Sequence, residues 1–324
     1  MKTRNLGANG PEVSEIGFGA MSFAGFFGAT DEATSLACLD AVLDAGITFI
    51  DTANIYGMGV SEAVIGKWLA SRKPQITLAT KASVVNGPPR HIDNSATHLR
   101  AELEASLKRL NRDHVELFYI HRREHARPLE EVIGTLSRLI EEGKIAGYGL
   151  SEIAPHTLRL AHAIHPCTAV QNEYSLWTRQ PELGLIQTCK ALGVAFVPFS
   201  PLARGMLGDT PLARPTDFFR SVNPRFTEPN FAYNTHKLNE FRTFCDNRGW
   251  STPATALAWI LSRGDHLIPI PGTRTAAHIC QCAAASTITL TPEDLAEIDR
   301  ILPAGFAAGD RYADQNLLAI ERYC

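Results

Sequence analysis

Residues 46–57 read Gly46-Ile47-Thr48-Phe49-Ile50-Asp51-Thr52-Ala53-Asn54-Ile55-Tyr56-Gly57. A short apolar run, Thr48–Asp51, ends abruptly in a carboxylate, and a loop carrying a tyrosine follows. An apolar run this short and this continuous fits a strand buried on both faces. Upstream, Asp31–Ala45 has helical periodicity, and Gly46 stands where a left-handed C-cap is wanted. Downstream, Glu62–Ser71 reads as the next helix and Ile76–Lys81 as the next strand, again ending in a charge.

The same alternation extends in both directions. Strands are expected at Glu15–Ala20, Thr48–Asp51, Ile76–Lys81, Leu117–His121, Gly147–Ser151, Ala169–Glu173, Ala195–Ser200 and Leu267–Pro271. The later helical stretches are Asn94–Leu110, Leu129–Glu142, Pro155–His165, Glu182–Leu192, Asn234–Arg248 and Pro253–Arg263. Strands that each lead into a helix, with unbroken apolar interiors, predict an α/β fold of the closed (β/α)8 TIM-barrel type, one domain over residues 1–324. Asn9-Gly10-Pro11 predicts a short β-hairpin ahead of the first barrel strand. Gly193 marks a second helix end, and Thr291-Pro292-Glu293-Asp294 places a capping residue, a proline at the first helical position and two acids at a helix start. The long irregular stretch Ala203–Tyr233 follows the seventh strand, on the face where barrel active sites sit, and the tail after Ile301 is free to fold over the same mouth. Gly17-Phe18-Gly19-Ala20-Met21-Ser22 comes near a dinucleotide turn, but Ser22 replaces the third glycine, which speaks against a doubly wound fold.

Hydrophobic residues make up 45% and charged residues 20% of the 324, a globular balance, and a net charge of −3 gives no electrostatic reason to expect nucleic acid or an anionic membrane as partner. No apolar run approaches the roughly 20 residues of a membrane span, and the N-terminus lacks the apolar core of a secretion signal. Seven scattered cysteines, Cys38, Cys167, Cys189, Cys245, Cys280, Cys282 and Cys324, suit a reducing compartment, so the cytoplasm is expected. Cys280, Cys282 and His278 lack the spacing of a zinc motif, and no metal is expected.

A barrel demands its chemistry at the C-terminal ends of different strands. Asp51 ends the second strand with Tyr56 just beyond it, Lys81 ends the third and His121 the fourth. Singly, each has a structural reading as a turn cap, a solvated ammonium or a core imidazole; together they converge on one rim. The chain resembles the aldo-keto reductase superfamily over nearly its whole length. The resemblance is carried by residues 46–57, by Leu78-Ala79-Thr80-Lys81, by Arg109-Leu110 leading to Leu117-Phe118-Tyr119-Ile120-His121, and by Gly149-Leu150-Ser151-Glu152. Gln171-Asn172-Glu173-Tyr174-Ser175, Pro198-Phe199-Ser200-Pro201-Leu202 and Ile270-Pro271-Gly272-Thr273-Arg274 continue it.

The resemblance implies a catalytic tetrad of Asp51, Tyr56, Lys81 and His121 at a barrel mouth that binds a nicotinamide cofactor and a small carbonyl substrate. Reducing a carbonyl requires a hydride on carbon and a proton on oxygen, and a phenol with a pKa near 10 is protonated at pH 7 and able to give that proton. Lys81 would favour the tyrosinate, Asp51 would hold Lys81, and His121 would bond the substrate oxygen or help relay the proton.

The resemblance also puts Ser151 and Gln171 at the carboxamide and Tyr174 against the nicotinamide ring. Ser200, Leu202, Arg204, Gly205, Gly272 and Thr273 fall along the phosphates, with Arg274 and His278 at the adenosine phosphate. A guanidinium suits a 2′-phosphate, so NADPH/NADP+ is expected over NADH, although Arg274 also reads as an ordinary solvated residue. Cys280-Gln281-Cys282 replaces an adenine-binding Glu-Glu-Asn of many relatives, and Glu152 replaces an asparagine. Phe23, Phe26, Phe27, Trp177, Phe218 and Phe219 either surround the substrate or pack loops; Arg122 and Arg123 are either an anion-selective pair or a solvated one. Two rivals remain. One is a catalytically weak NADP-binding regulatory subunit resembling potassium-channel β subunits. The other is a metal-dependent hydrolase using His121 and Asp51, for which no H-x-H pair exists. The sequence sets neither the oligomeric state nor the natural substrate.

Overall fold

The chain opens with an antiparallel hairpin of β1 (Thr3–Asn5) and β2 (Glu12–Ser14), turning where Asn9-Gly10-Pro11 predicts it. The first barrel strands are β3 (Phe18–Gly19), β4 (Phe49–Asp51) and β5 (Thr77–Ala82). A small antiparallel hairpin of β6 (Val84–Val85) and β7 (His91–Ile92) intervenes. Then come β8 (Val115–Ile120), β9 (Ile145–Ser151), β10 (Ala169–Gln171) and β11 (Ala195–Phe196). In this computed structural model, which describes residues 1–215 and 217–323, the seven barrel strands are parallel neighbours in chain order from β3 to β11. The side chains of Phe218 and Gln315 fall outside the description, so the expectation for the Phe218 ring, like that for Cys324, lies outside the described residues.

The eighth strand closes the ring in a half-bonded form. Ile268 N donates to Phe196 O (2.9 Å) and Ile270 N to Pro198 O (3.1 Å) on one side; Pro269 O and Pro271 O accept from Gly17 N (2.9 Å) and Gly19 N (3.0 Å) on the other. Proline has no N–H, so residues 269 and 271 accept from the first strand without donating back, and no regular ladder forms. The glycines of the near-dinucleotide motif are explained here: a Cβ on Gly19 would stand 2.9 Å from Ile270 O, and one on Gly17 2.7 Å from the Phe49 ring.

Between the strands run α1 (Glu32–Asp44), α2 (Val60–Arg72), α3 (Ala96–Leu110), α4 (Leu129–Glu141), α5 (Pro155–Ile164) and α6 (Leu185–Leu192). They start within a few residues of the expected positions. Gly46 (φ +75°) and Gly193 (φ +66°) take the left-handed turn that stops α1 and α6. After β11 come α7 (Phe218–Ser221), α8 (Asn230–Asn247) and α9 (Thr252–Leu261); α10 (Ala276–Ala283) and α11 (Pro292–Ile301) finish the outer layer. Thr291 and Asp294 form a reciprocal capping box on α11. No described helix is long and apolar enough to cross a membrane.

Two apolar layers result. The inner one fills the barrel with Phe49, Leu117, Tyr119, Val197, Ile268 and Ile270, and Leu6 and Val13 from the β1/β2 hairpin join it as a plug. The outer one packs helices on the sheet around Trp68, Phe118, Tyr148 and Trp259. With the lower end plugged, the one direction in which polar strand ends can open is upward, toward the C-terminal rim.

Candidate active site

At that rim lies a cavity of about 640 Å³, within the range of small-molecule sites. Tyr56 and His121 line it, their rings 5.9 Å apart and nearly perpendicular. Beneath them Lys81 is wholly buried, its Nζ 5.2 Å from the Tyr56 ring centre, donating to Asp51 Oδ1 and to Thr52 O (2.7 Å). Asp51 Oδ2 accepts from Gln171 Nε2 at 2.8 Å, and Gln171 also reaches the cavity wall. The four side chains expected from three strand ends thus meet.

Burial sets their protonation. It pushes the Tyr56 hydroxyl above its usual range, and Asp51 adds to this; Lys81 and Arg122 pull the other way without prevailing. Lys81 does pull Tyr56 toward tyrosinate, as expected, but burial outweighs it and the phenol stays protonated. Burial likewise pushes the Asp51 carboxyl up against the pull of Lys81 and the Gln171 amide. His121 is held well below the ordinary imidazole value by burial first, then by the charges of Arg122, Lys81 and Arg90. It is neutral at pH 7. Its Nδ1 is buried without a hydrogen-bond partner, a polar atom that costs free energy until something meets it.

Of the residues expected at a cofactor, Ser151, Gln171, Ser200 and Arg204 lie on the cavity wall. Leu202 and Gly205 belong to the same loop but not to the wall. Gly272, Thr273, Arg274 and His278 gather at the start of α10, where Thr275 caps the helix, Thr273 Oγ1 meets His278 Nδ1 at 3.2 Å, and Arg274 Nη1 donates to Ala29 O at 2.7 Å.

Tyr174 is placed elsewhere. Its ring is fully buried in the outer layer against Phe196 and Trp259, and its hydroxyl donates to Glu182 at 2.7 Å. Counting by two explains why: Ala169 and Gln171 face inward, so Val170 and Tyr174 face the helices. The same parity on the next strand sends Val197 and Phe199 inward, and Phe199, which sequence reasoning passed over, supplies the aromatic wall.

The donor set suits a nicotinamide. A carboxamide needs both a donor and an acceptor, and Ser151 and Gln171 offer both; Phe199 offers a flat apolar face. Phe26, Phe27 and Phe219 line the cavity, whereas Phe23 packs on Phe18 and Trp177 on Phe226. Arg122 reaches the wall, giving Nη1 to His121 O (2.6 Å) and Ser151 Oγ (3.2 Å); Arg123 turns away to Glu321 (2.7 Å). The tail does cover the mouth: Tyr312, Asn316 and Leu318 line it. Arg311 anchors this segment on two buried carboxylates, pairing with Glu152 and with Glu173 (3.2 Å). Burial pushes Glu173 up, but Arg204, Arg311 and Arg225 outweigh it and hold the carboxyl below its usual range.

Among the described residues no three His, Cys, Asp or Glu side chains converge as a metal would require. Cys280 is exposed and Cys282 buried, as two residues two apart on a helix must diverge.

The model of the Aldo/keto reductase family matches residues 15–303. A protein named "Probable aldo-keto reductase 1" from Glycine max is 38% identical over 313 residues, 95% of this chain and 90% of its own. Among solved structures, a glycerol dehydrogenase from Gluconobacter oxydans superposes with a TM-score of 0.85 at 26% identity, covering 96% of this chain and 98% of that one. An aldo-keto reductase from Bacillus halodurans in its holo form gives 0.78 at 28%, covering 94% and 97%.

Proposed function

This chain belongs to the aldo/keto reductase family, whose members use nicotinamide cofactors on carbonyl compounds, and from that premise we propose that it reduces an aldehyde or ketone to the alcohol with NADPH, with Tyr56 as proton donor. The observation that carries this reading is the meeting of Tyr56 and His121 on one cavity wall with Lys81 and Asp51 directly beneath them. Ser151, Gln171 and Phe199 would hold the nicotinamide end, with Ser200 and Arg204 toward the phosphates. Reduced nicotinamide supplies the hydride for the carbonyl carbon. The chain's own residues handle the oxygen. Tyr56 gives its proton to the oxygen as negative charge develops there, and the neutral His121 holds that oxygen by a hydrogen bond. Lys81, held beneath the phenol by Asp51, stabilises the tyrosinate left behind, and Gln171 fixes the carboxylate. Phe26, Phe27, Phe219 and Tyr312 narrow the mouth against water.

NADPH is preferred because Arg274 and His278 flank the N-terminus of α10, where a phosphate would meet a guanidinium, an imidazole and free backbone N–H groups. The Arg274 bond to Ala29 uses one of its five donors. The four-residue set at an open cavity favours turnover over a regulatory role. The test is NADPH consumption with a panel of aldehydes and ketones. Tyr56→Phe is expected to lower kcat by about a hundredfold or more in a folded protein; near-wild-type turnover would end the assignment. An apparent affinity for NADPH no better than for NADH, unchanged in Arg274→Ala, would end the cofactor preference.

A further inference from the structure

Four charged side chains lie on the cavity wall: Arg90, Arg122, Arg204 and Asp217. Two of them are neutralised. Arg204 pairs with Glu173 at 3.1 Å and Asp217 with Arg220 at 2.7 Å. Arg90 and Arg122 have no carboxylate partner among the described residues. The acids next to them in sequence are already committed, Glu124 and Asp93 both to Arg127 (2.8 and 3.8 Å). Arg122 is half-buried and spends one terminal nitrogen on His121 O and Ser151 Oγ, its remaining N–H groups having no hydrogen bond among the described residues. Arg90 stands exposed at the rim.

Their origin in the barrel fixes which side they serve. Arg90 sits in the β6/β7 hairpin that follows β5, and Arg122 lies two residues past β8, just after His121; β8 is the strand hydrogen-bonded to β5. These are the strands that carry Lys81 and His121. Residues placed toward a cofactor come instead from β9, β10, β11 and the segment beyond them. The two guanidiniums therefore gather on the tetrad's own side. They are close enough for the Arg122 charge, after burial, to help lower the Arg90 pKa, and both charges act on His121. Two like charges held together beside a reactive site are costly unless an anion joins them.

We propose that Arg90 and Arg122 form an anion subsite, and that the substrate is a carbonyl compound carrying a carboxylate or phosphate. The inference rests on the reductase reading for its carbonyl, while the anion subsite stands on the arginines alone. Arg122 receives the anion in the cavity through its free N–H groups, and Arg90 steers it from the rim. The aromatic wall of Phe26, Phe27 and Phe219 sets how much apolar body lies between anion and carbonyl.

Matched pairs test this: succinic semialdehyde against butanal, and glyceraldehyde 3-phosphate against glyceraldehyde, each assayed with NADPH. In one pair at least, the charged member is expected to exceed the neutral one in kcat/KM by about tenfold or more, chiefly through KM; the pair that responds identifies the anion. Arg122→Met is expected to bring that ratio close to one, Arg122→Lys to keep part of it, and Arg90→Met to lower it and flatten its dependence on salt. Titration calorimetry with succinate and with glycerol phosphate reads the subsite without turnover. Binding to the wild type that Arg122→Met abolishes supports the subsite even if no aldehyde is reduced, an outcome that would count against the reductase reading alone. Failure of both anions to bind the wild type, or ratios at or below one in both pairs, overturns the proposal and leaves the reductase reading standing wherever the neutral aldehydes react.

Discussion

Replacing Asp51 by asparagine keeps shape and an acceptor for Gln171 but removes the carboxylate opposite Lys81, whose side chain has no solvent exposure. Lys81 would retain Thr52 O at 2.7 Å and little else to offset its charge. Breaking a buried pair from one side costs roughly 3–5 kcal/mol. With an unfolding entropy of about 2.1 cal/mol/K per residue, about 0.7 kcal/mol/K for 324 residues, that cost is a fall in Tm of about 4–7 °C. Scanning calorimetry of Asp51→Asn, Lys81→Met and the double variant separates the charge from the packing. The double variant has no stranded charge and is expected to regain most of the lost stability, because a buried pair replaced by neutral side chains of similar size is nearly neutral. Its carbonyl reduction stays at least about a hundredfold down, since the ammonium that chiefly stabilises the tyrosinate is gone. If Asp51→Asn melts within a degree of wild type, or the double variant is the least stable of the three, the ion pair is not what holds this rim together.

Folded His121 resists protonation, whereas an unfolded histidine takes up a proton near pH 6.5. The unfolded state therefore binds more protons below that pH, and stability falls by up to about 1.4 kcal/mol per unit as pH drops until the folded imidazole also titrates; urea midpoints from pH 7 to 4.5 should show a shallower slope in His121→Asn. Arg311→Met leaves Glu152 without its partner and strips one from Glu173, a loss of roughly 3–5 kcal/mol, and limited proteolysis should release the segment after residue 303 far sooner than from wild type. Gly19→Ala drives a Cβ to 2.9 Å from Ile270 O at the seam of the barrel; such overpacking costs about 1–3 kcal/mol, and an unchanged urea midpoint would contradict the closed ring.

Most of the barrel could be read from the sequence because doubly buried strands are mostly apolar until they end. Asp51, Lys81 and His121 announce their strand ends by breaking apolar runs. What escaped was governed by direction and by proline. Tyr174 was matched by motif to the cofactor, yet the parity running from Gln171 sends it outward, and the same rule would have picked Phe199. Arg90 was invisible because its hairpin is only two residues on each side, although Asn86-Gly87 between Val85 and Ile92 carried the turn signal. The direction of the Lys81 pull on Tyr56 was legible, but the size of the burial effect was not. The distance to Lys81 can be guessed from a motif, but the depth of burial that outweighs it cannot. The Glu152–Arg311–Glu173 cluster joins residues more than a hundred positions apart, with no local pattern to mark it.

Tyr312, Asn316 and Leu318 leave the ribosome after every described strand of the barrel. By the time Pro303 emerges, every strand and all four chemistry-bearing side chains have already been delivered. The nascent molecule then holds a finished rim in a vessel still missing part of its wall. Synthesis thus runs ahead of enclosure, and a polypeptide stopped at Pro303 would carry its working groups without the residues that cover them.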